Sequence, residues 1–201
     1  MRKYQIIYAD PPWKYSNASH RPTGKYKFRG GAKRHYDTMT TEDICNLPIS
    51  ELADENCFLF IWATFPNLRE VFKVIDSWGF QYRTLGFSWI KTNKKNNKPF
   101  FGIGFYTKSN CEICLIATKG KPKVISNSVS SVVISPLEGH SKKPDIIRSK
   151  IIQLAGNLPR IELFARPTKT LFTNMDGWDV WGNEVENDIN LLKEPTPQDE
   201  K

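Results

Sequence analysis

The chain has no apolar run long enough to cross a membrane, and Met1-Arg2-Lys3 leads into a short strand-like segment instead of a signal-peptide core. It also has few cysteines, which are Cys45, Cys57, Cys111 and Cys114. The last two have the spacing of metal ligands, but they lie in an apolar run without a second Cys or His pair. We therefore expect a cytoplasmic protein with free thiols, a strand across this segment, and no metal site.

Two signatures of phosphate-binding enzymes are missing as well. The sequence contains no P-loop, and Gly102-Ile103-Gly104 lacks the third glycine of a G-x-G-x-x-G fingerprint and follows a loop. A dinucleotide or nucleoside triphosphate site built on a glycine-rich loop therefore has no support in the sequence.

Acidic residues are missing from two long stretches, 14–36 and 88–111. The chain has 29 Lys and Arg against 21 acidic residues, and six acids but two bases lie from Glu184 onward, which leaves a net charge of +12 on residues 1–183. Basic loops with interleaved aromatics are typical of surfaces that contact nucleic acid, although a charge run also occurs on an ordinary solvated face. The basic residues expected to contact nucleic acid are Lys25, Lys27, Arg29, Lys91, Lys94 and Lys95.

Strand-like and helix-like segments alternate along the chain. Strands are predicted over 4–9, 57–63, 83–91, 111–117, 132–135 and 160–165. This alternation predicts an α/β fold of three layers, with helices on both sides of a mostly parallel central sheet. We expect a single domain over 1–185, followed by a polar, flexible tail over 186–201.

Helix boundaries are marked by proline, glycine and a capping pattern. Helices are predicted to begin at Pro66 and Pro144 and to stop at Gly79 and Gly156. A capping box at residues 40 and 43 predicts a further short helix, which a proline at 48 ends.

Asp10-Pro11-Pro12-Trp13 directly follows the predicted strand 4–9, at the place where ligands bind in open α/β sheets. The prolines have no N–H, so the turn presents carbonyl oxygens, and Asp10 adds a carboxylate that only accepts hydrogen bonds. Trp13 offers an apolar wall for a planar base. Two such acceptors can draw the lone pair of an adenine amine toward an electrophile; the alternative is a turn that merely ends a strand.

A methyl donor with a cationic sulfur, an adenosine and an amino-acid end needs acceptors for its amine and a cation for its carboxylate. Asp10, Lys143 and Arg166 are the candidates for these contacts. Two of them also have structural interpretations, because Lys143 fits the entry of a helix and Arg166 fits an ordinary ion pair.

Seven blocks of sequence follow one another in an order found in one enzyme family. They are ADPPW at 9–13, YDTM at 36–39, LFIWAT at 59–64, WIKTN at 89–93, HSKKPD at 140–145, RIELFARP at 160–167 and GN at 182–183. With these blocks the chain resembles, over nearly its whole length, the mRNA adenosine N6-methyltransferases and their bacterial and viral DNA-adenine relatives.

The resemblance implies a Rossmann-like methyltransferase that depends on S-adenosylmethionine, with a permuted motif order in which the catalytic tetrapeptide precedes the cofactor-binding strand. It implies that Asp10 contacts both the target amine and the cofactor, and that Pro11, Pro12 and Trp13 shape the base pocket. Tyr36 is expected at the substrate site, with an ordinary core position as the alternative.

The resemblance also implies the remaining cofactor contacts. Lys143 is expected to bind the methionine carboxylate, and Thr168 and Lys169 stand where relatives have a His-Asn pair. Asn183, together with Arg166, is expected to hold the ribose, although an Asn after Gly is also a common turn residue. Glu184 replaces the Gln of relatives, so it accepts hydrogen bonds from hydroxyls but does not donate.

We therefore predict an adenine N6-methyltransferase that acts on nucleic acid, on a base that is unpaired or flipped from a duplex. DNA is favoured over RNA because the compact chain resembles phage and bacterial members and contains no segment typical of an added RNA-reading module. The alternatives are an RNA substrate, a catalytically silent nucleic-acid-binding subunit and a protein amide methyltransferase; the intact tetrapeptide argues against the silent subunit. Family members often pair, so a homodimer or a related partner subunit is also expected.

Overall fold

A computed structural model of the chain describes residues 2–14, 38–102, 106–138, 142–166 and 177–191. Several residues singled out in the sequence lie outside these ranges, namely Lys25, Lys27, Arg29, Tyr36, Thr168 and Lys169. Their predicted roles remain predictions.

Seven strands of the described residues form one sheet. They are β1 (Tyr4–Ala9), β2 (Ala53–Ala63), β3 (Gln81–Thr92), β4 (Cys111–Lys119), β5 (Val132–Pro136), β6 (Arg160–Leu163) and β7 (Trp178–Trp181). Their order across the sheet is β5-β3-β4-β2-β1-β6-β7. Neighbouring strands are parallel except that β4 is antiparallel to both β2 and β3. The mostly parallel sheet expected from the sequence is thus confirmed.

The described helices are α1 (Thr41–Cys45), α2 (Ile49–Leu52), α3 (Leu68–Ser77) and α4 (Ile146–Ala155). The predicted capping box is present, because the Thr40 hydroxyl accepts from the Asp43 N–H and the Asp43 carboxylate accepts from the Thr40 N–H. Pro66 lies in a 3-10 turn over Phe65–Asn67, so α3 begins two residues later than predicted. None of the helices in the described ranges is long and apolar enough to span a bilayer.

The helices cover both faces of the sheet and complete three layers. Alternate residues of a strand point to opposite faces, so Ile7 and Leu59 pack toward α1, α2 and α3, whereas Ile6 and Phe60 pack toward α4. Both sets are fully buried. The central strands β1 and β2 are therefore apolar on both sides, which agrees with the unbroken apolar runs of the sequence.

The end of the chain differs from the sequence prediction in three ways. Strand β6 stops at Leu163, two residues early, because Phe164 adopts a left-handed φ of +60°. Strand β7 was not predicted, since its four residues are too few to show a periodicity. Residues 186–191 of the expected tail are part of the fold: Leu191 is 1% exposed, and the Asp188 N–H donates to the Val180 carbonyl of β7.

The capping box of α1 allows a direct test of how the chain is held next to the Asp10 turn. Thr40→Ala should lower the free energy of unfolding by about 1 kcal/mol, because an orphan N–H of the first helical turn loses its acceptor. Thr41→Ala, the same change at the first helical residue, is the matched control. Urea denaturation measures both, and equal losses in the two variants would contradict a stabilising cap.

Candidate active site

The carboxyl ends of β1, β2, β6 and β7 lie along one edge of the sheet, because these strands run in the same direction. Asp10 directly follows β1, and Thr64 directly follows β2. Arg166 and Asn183 come shortly after β6 and β7. The topology therefore brings the predicted site residues of the described ranges to one side of the molecule.

Strand β4 contributes residues to the same edge because it runs in the opposite direction, so that its beginning lies beside the end of β2. Glu112, near the start of β4, lies opposite Trp89 of β3. Glu112 shares a face with Cys114, which packs toward α4. The predicted strand across this Cys-containing segment is confirmed, and the described cysteines are free thiols.

Asp10 and Lys143 form a nearly buried ion pair at the centre of this edge. The Lys143 ammonium donates to both carboxylate oxygens of Asp10, at 2.7 Å each. The side chain of Lys143 is 10% exposed and that of Asp10 is 19% exposed. The two residues lie 133 positions apart in the sequence, so this contact ties the end of β1 to the segment that enters α4.

The ion pair continues into a row of alternating charges. The Lys143 ammonium also lies 3.3 Å from the Glu112 carboxylate, and Glu112 forms a second, shorter ion pair with Lys91 of β3. The order Asp10, Lys143, Glu112, Lys91 places each carboxylate next to an ammonium group. Two negative and two positive charges therefore compensate one another in a site that water reaches only in part.

The structure shows different surroundings for the three basic residues of the acid-free stretch 88–111 that are expected to contact nucleic acid, which are Lys91, Lys94 and Lys95. The Lys91 side chain is 12% exposed, pairs with Glu112 and lies 5.1 Å from the centre of the Trp89 ring. A contact with phosphate requires a charge that faces solvent. The Lys91 ammonium does not face solvent, because Lys91 lies within β3 and pairs with Glu112. Lys94 and Lys95, in the turn after β3, are exposed.

Burial and ion pairing move the pKa values of these groups in opposing directions. Burial raises the pKa of Asp10 above its ordinary value, although the charge of Lys143 opposes this shift and that of Arg166 opposes it further. Burial also disfavours the charge on Glu112, but Lys143 and Lys91 outweigh it and lower the pKa of that carboxyl. Burial works against the ammonium of Lys143 too, and its two carboxylate partners reverse this and raise its pKa.

The backbone of the Asp10 turn is fixed by short hydrogen bonds. The Pro11 carbonyl accepts from the Trp13 N–H at 2.8 Å, and the Pro12 carbonyl accepts from the Met39 N–H at 2.9 Å. Each carbonyl oxygen has two lone pairs, so each retains the capacity to accept one more bond. Pro12 is partly exposed, whereas Pro11 is buried.

Trp13 lies deeper than a stacking platform does. It is 5% exposed, packs with the α1 to α3 side of the core, and its indole N–H donates to the Trp62 carbonyl at 3.1 Å. The Trp62 indole N–H in turn donates to the Tyr8 hydroxyl at 2.7 Å, and the Lys143 ammonium lies 5.4 Å from the Trp62 ring centre. Trp13 therefore packs in the core beneath the Asp10 turn. Trp62 contacts both Trp13, through its carbonyl, and Lys143, through its ring.

The ends of β6 and β7 touch closely where a ribose contact is expected. A Cβ on Gly182 would lie 2.6 Å from the Ala165 carbonyl oxygen, so only glycine permits this approach. The contact places the exposed Asn183 and Glu184 beside the segment that carries Arg166. A polar groove of about 360 Å³ opens at this end of β7, lined by Trp181, Asn183, Asn187, Asp188, Ile189 and Asn190.

Two site residues were missed by sequence reasoning. The sequence places Glu112 in a strand, and the signal that distinguishes it is a charge between apolar neighbours. Trp62 was included in an apolar strand, and its position one residue before the strand's end gave no sign of contact with Lys143 and Trp13.

Comparison with known proteins gives a consistent set of relatives. Residues 4–184 match the MT-A70 family. The type II methyltransferase M.MunI of Mycoplasma sp is 32% identical over 208 residues, which cover 97% of this chain and 82% of that protein. The human N(6)-adenosine-methyltransferase catalytic subunit METTL3 is 28% identical over 192 residues, which cover 94% of this chain but 29% of that protein. An MT-A70-like N(6)-adenosine-methyltransferase of Arabidopsis thaliana is 24% identical, with 25% of its length covered.

The row of charges predicts a pH-dependent stability. Glu112→Gln should lower the free energy of unfolding at neutral pH by about 3–5 kcal/mol, because two buried ammonium groups lose a counter-charge. Since the pKa of Glu112 is lowered in the fold, its contribution is complete above the pKa of the unfolded chain and is lost as pH falls through the folded pKa. The difference between variant and wild type should therefore shrink in acid.

Glu138→Gln is the matched control for this test. Glu138 pairs with Lys142 close to the same site, but its side chain is 46% exposed. Its loss should cost less than about 1 kcal/mol. Denaturation curves at several pH values measure both variants, and equal, pH-independent losses would contradict a buried charge row.

Proposed function

This chain belongs to the MT-A70 family, and on that basis we propose that it transfers a methyl group from S-adenosylmethionine to the exocyclic N6 amine of adenine in DNA. The observation that carries the proposal is the Asp10 turn at the carboxyl edge of the sheet. There the acceptor-only carboxylate of Asp10 and the Pro12 carbonyl lie two residues apart in one turn, and the Lys143 ammonium donates to both oxygens of the carboxylate.

The chemical problem of the reaction is a weak nucleophile. The lone pair of the adenine amine is delocalised into the ring, and acceptors that hold its two N–H bonds localise the pair toward the incoming methyl carbon. Asp10 supplies one acceptor, and the Pro12 carbonyl, which has one lone pair left, supplies the other. Because both are fixed before the base enters, little reorganisation accompanies the reaction.

The residues present fit S-adenosylmethionine as the methyl donor. This molecule supplies an electrophilic methyl group on a cationic sulfur, and its amino-acid end carries a carboxylate and an ammonium group. Lys143 offers a cation for the carboxylate, and Arg166 and Asn183, which follow β6 and β7 at the same edge of the sheet, are the residues proposed to hold the ribose. Lys143 already holds Asp10, so binding at the carboxylate requires that it share its ammonium between the two.

Transfer would form the bond between the amine nitrogen and the methyl carbon while the bond from that carbon to sulfur breaks, and the amine would then release its proton to water. Asp10 accepts the hydrogen bond throughout and needs no strongly basic character, since a methylated amine with four substituents is acidic. Burial raises the pKa of Asp10, and the charge of Lys143 lowers it and so limits this shift. The methylation rate should therefore fall as pH drops through this raised pKa, when the carboxylate loses its acceptor role.

DNA is the proposed substrate class because the chain is more similar to the type II methyltransferase M.MunI than to the N(6)-adenosine-methyltransferases. It is 32% identical to M.MunI, against 28% for the human METTL3 subunit and 24% for the Arabidopsis thaliana relative. The exposed Lys94 and Lys95 lie in a turn at the same edge of the sheet as Asp10 and provide charges for a phosphate backbone. The target base is expected to be unpaired or flipped, so that its amine is accessible.

The decisive experiment combines labelled S-adenosylmethionine with separate pools of DNA and RNA, followed by mass analysis of nucleosides. We expect N6-methyladenine in DNA, and Asp10→Ala and Asp10→Asn should each reduce its formation at least about 100-fold, as for loss of other preorganised polar partners. Asp54→Ala, at the other end of β2, is the control with normal activity.

Three results would contradict parts of this proposal. Label in RNA alone would replace the substrate class, and label in neither pool would remove the activity. If an Asp10 variant formed N6-methyladenine at a rate within tenfold of wild type, the role proposed for that carboxylate would be wrong.

The exposed lysines predict a change in salt dependence. Replacing Lys94 and Lys95 with Ala should weaken DNA binding and reduce the slope of log affinity against log salt by about one for each lost phosphate contact. The control is Lys121 and Lys123 to Ala, since these residues are exposed near the start of β2, away from Asp10. Fluorescence anisotropy across a salt series measures both, and an unchanged slope in the first variant would move the DNA surface elsewhere.

A further inference from the structure

A second buried ion pair lies on the α4 side of the sheet, next to the proposed active site. The Arg148 guanidinium of α4 donates to both carboxylate oxygens of Glu162 in β6, at 2.6 and 2.8 Å. The side chains are 8% and 10% exposed. This parallel, two-bond geometry fixes both the distance and the orientation of the two groups.

The third nitrogen of Arg148 extends the pair toward Lys143. Arg148 Nη1 donates to one oxygen of Asp145 at 2.7 Å, and the other oxygen of Asp145 accepts from the Lys142 ammonium at 2.7 Å. All three guanidinium nitrogens are thus engaged. We call Glu162, Arg148 and Asp145 the β6 clamp, because together they tie the segment before α4 to strand β6.

Lys143 lies inside the segment that the β6 clamp holds. Asp145 follows it by two residues, and the residue between them is a buried proline with a fixed φ. The position before a proline is itself restricted to extended conformations. Few backbone torsions therefore separate the anchored Asp145 from Lys143, whose ammonium must stay 2.7 Å from the Asp10 oxygens.

Stability alone gives a weak reason for this arrangement. Burial raises the pKa of Glu162 despite the opposing charge of Arg148. Well-packed apolar residues in place of a buried ion pair are often neutral or stabilising. The geometric precision of the pair is therefore better explained by what it positions.

We propose that Arg148 is a positioning residue for the methyl transfer, which acts through Asp145 to hold the Lys143 ammonium against Asp10. This inference rests on the proposed function, in which Lys143 keeps Asp10 charged. Arg148 touches neither substrate nor cofactor in this assignment, and its effect is transmitted by the clamp.

Two variants break the clamp at different places. Asp145→Ala removes the link between Arg148 and the Lys143 segment, leaves the pair with Glu162 intact, and changes a partly exposed residue. Arg148→Met combined with Glu162→Gln removes both buried charges together, so that no unpaired charge stays inside. The matched control is Glu70→Gln with Lys73→Met, which removes an ion pair on the surface of α3.

The first readout needs no activity. In protein labelled with ¹⁵N at lysine side chains, an ammonium held by two carboxylates exchanges slowly and gives a resolved NMR signal, which Lys143→Arg assigns by its loss. Both clamp variants should shift this signal or broaden it away, and the surface control should leave it unchanged. An unchanged Lys143 signal in both clamp variants would overturn the proposal.

The second readout is a double-mutant cycle on single-turnover methylation. Each clamp variant should lower the rate about 10- to 100-fold in the wild-type background, as a displacement of roughly 1 Å does in other enzymes, but less than twofold when Lys143 is already Met. Equal factors in the two backgrounds would show that the clamp does not act through Lys143. If wild type methylates neither DNA nor RNA, the proposed function fails while the NMR comparison still decides the positioning.

Discussion

The contact between Asp10 and Lys143 is the constraint on which the site depends. A carboxylate can polarise an amine only while it is ionised, and its partial burial works against ionisation. Lys143 opposes this effect with two bonds of 2.7 Å. Glu112 gives Lys143 a second counter-charge, and Lys91 in turn compensates Glu112. In the proposed reaction, this row of four charges keeps Asp10 available as an acceptor in a place that water reaches only in part.

The sheet topology creates this row from distant parts of the chain. Parallel strands bring Asp10 and the carboxyl ends of β6 and β7 to one edge of the sheet. Because β4 runs in the opposite direction, its amino end lies at this edge and contributes Glu112. Lys143 comes from the segment that precedes α4, on the α4 side of the sheet. Two anchors hold this segment: the row of charges on one side, and the β6 clamp of Arg148, Asp145 and Glu162 on the other.

The sequence predicts most strands and the short helix α1, whereas the contacts of the candidate site that it does not predict join residues that are distant in the chain. Period-two and unbroken apolar patterns located β1 to β6, and Thr40 and Asp43 located α1, because these signals depend on neighbouring residues. The chemistry of the tetrapeptide and of Lys143 made them candidates, and the resemblance to a family gave the role expected of each. The pairing of Lys143 with Asp10 and Glu112, the burial of Lys91 and the fork of Arg148 depend on residues far apart in sequence, which no local pattern encodes. Strand β7 was too short to detect, and its link to residues 186–191 is made by side chains as well as by backbone.

The dependence of Asp10 on Lys143 can be measured through the pKa of the Asp10 carboxyl, by ¹³C NMR titration of wild type and Lys143→Met. We expect Asp10 to be ionised at neutral pH in wild type, and removal of Lys143 to raise its pKa, since burial then acts without its main opposing charge. An Asp10 pKa that is the same in both proteins would show that Lys143 does not keep this carboxylate ionised.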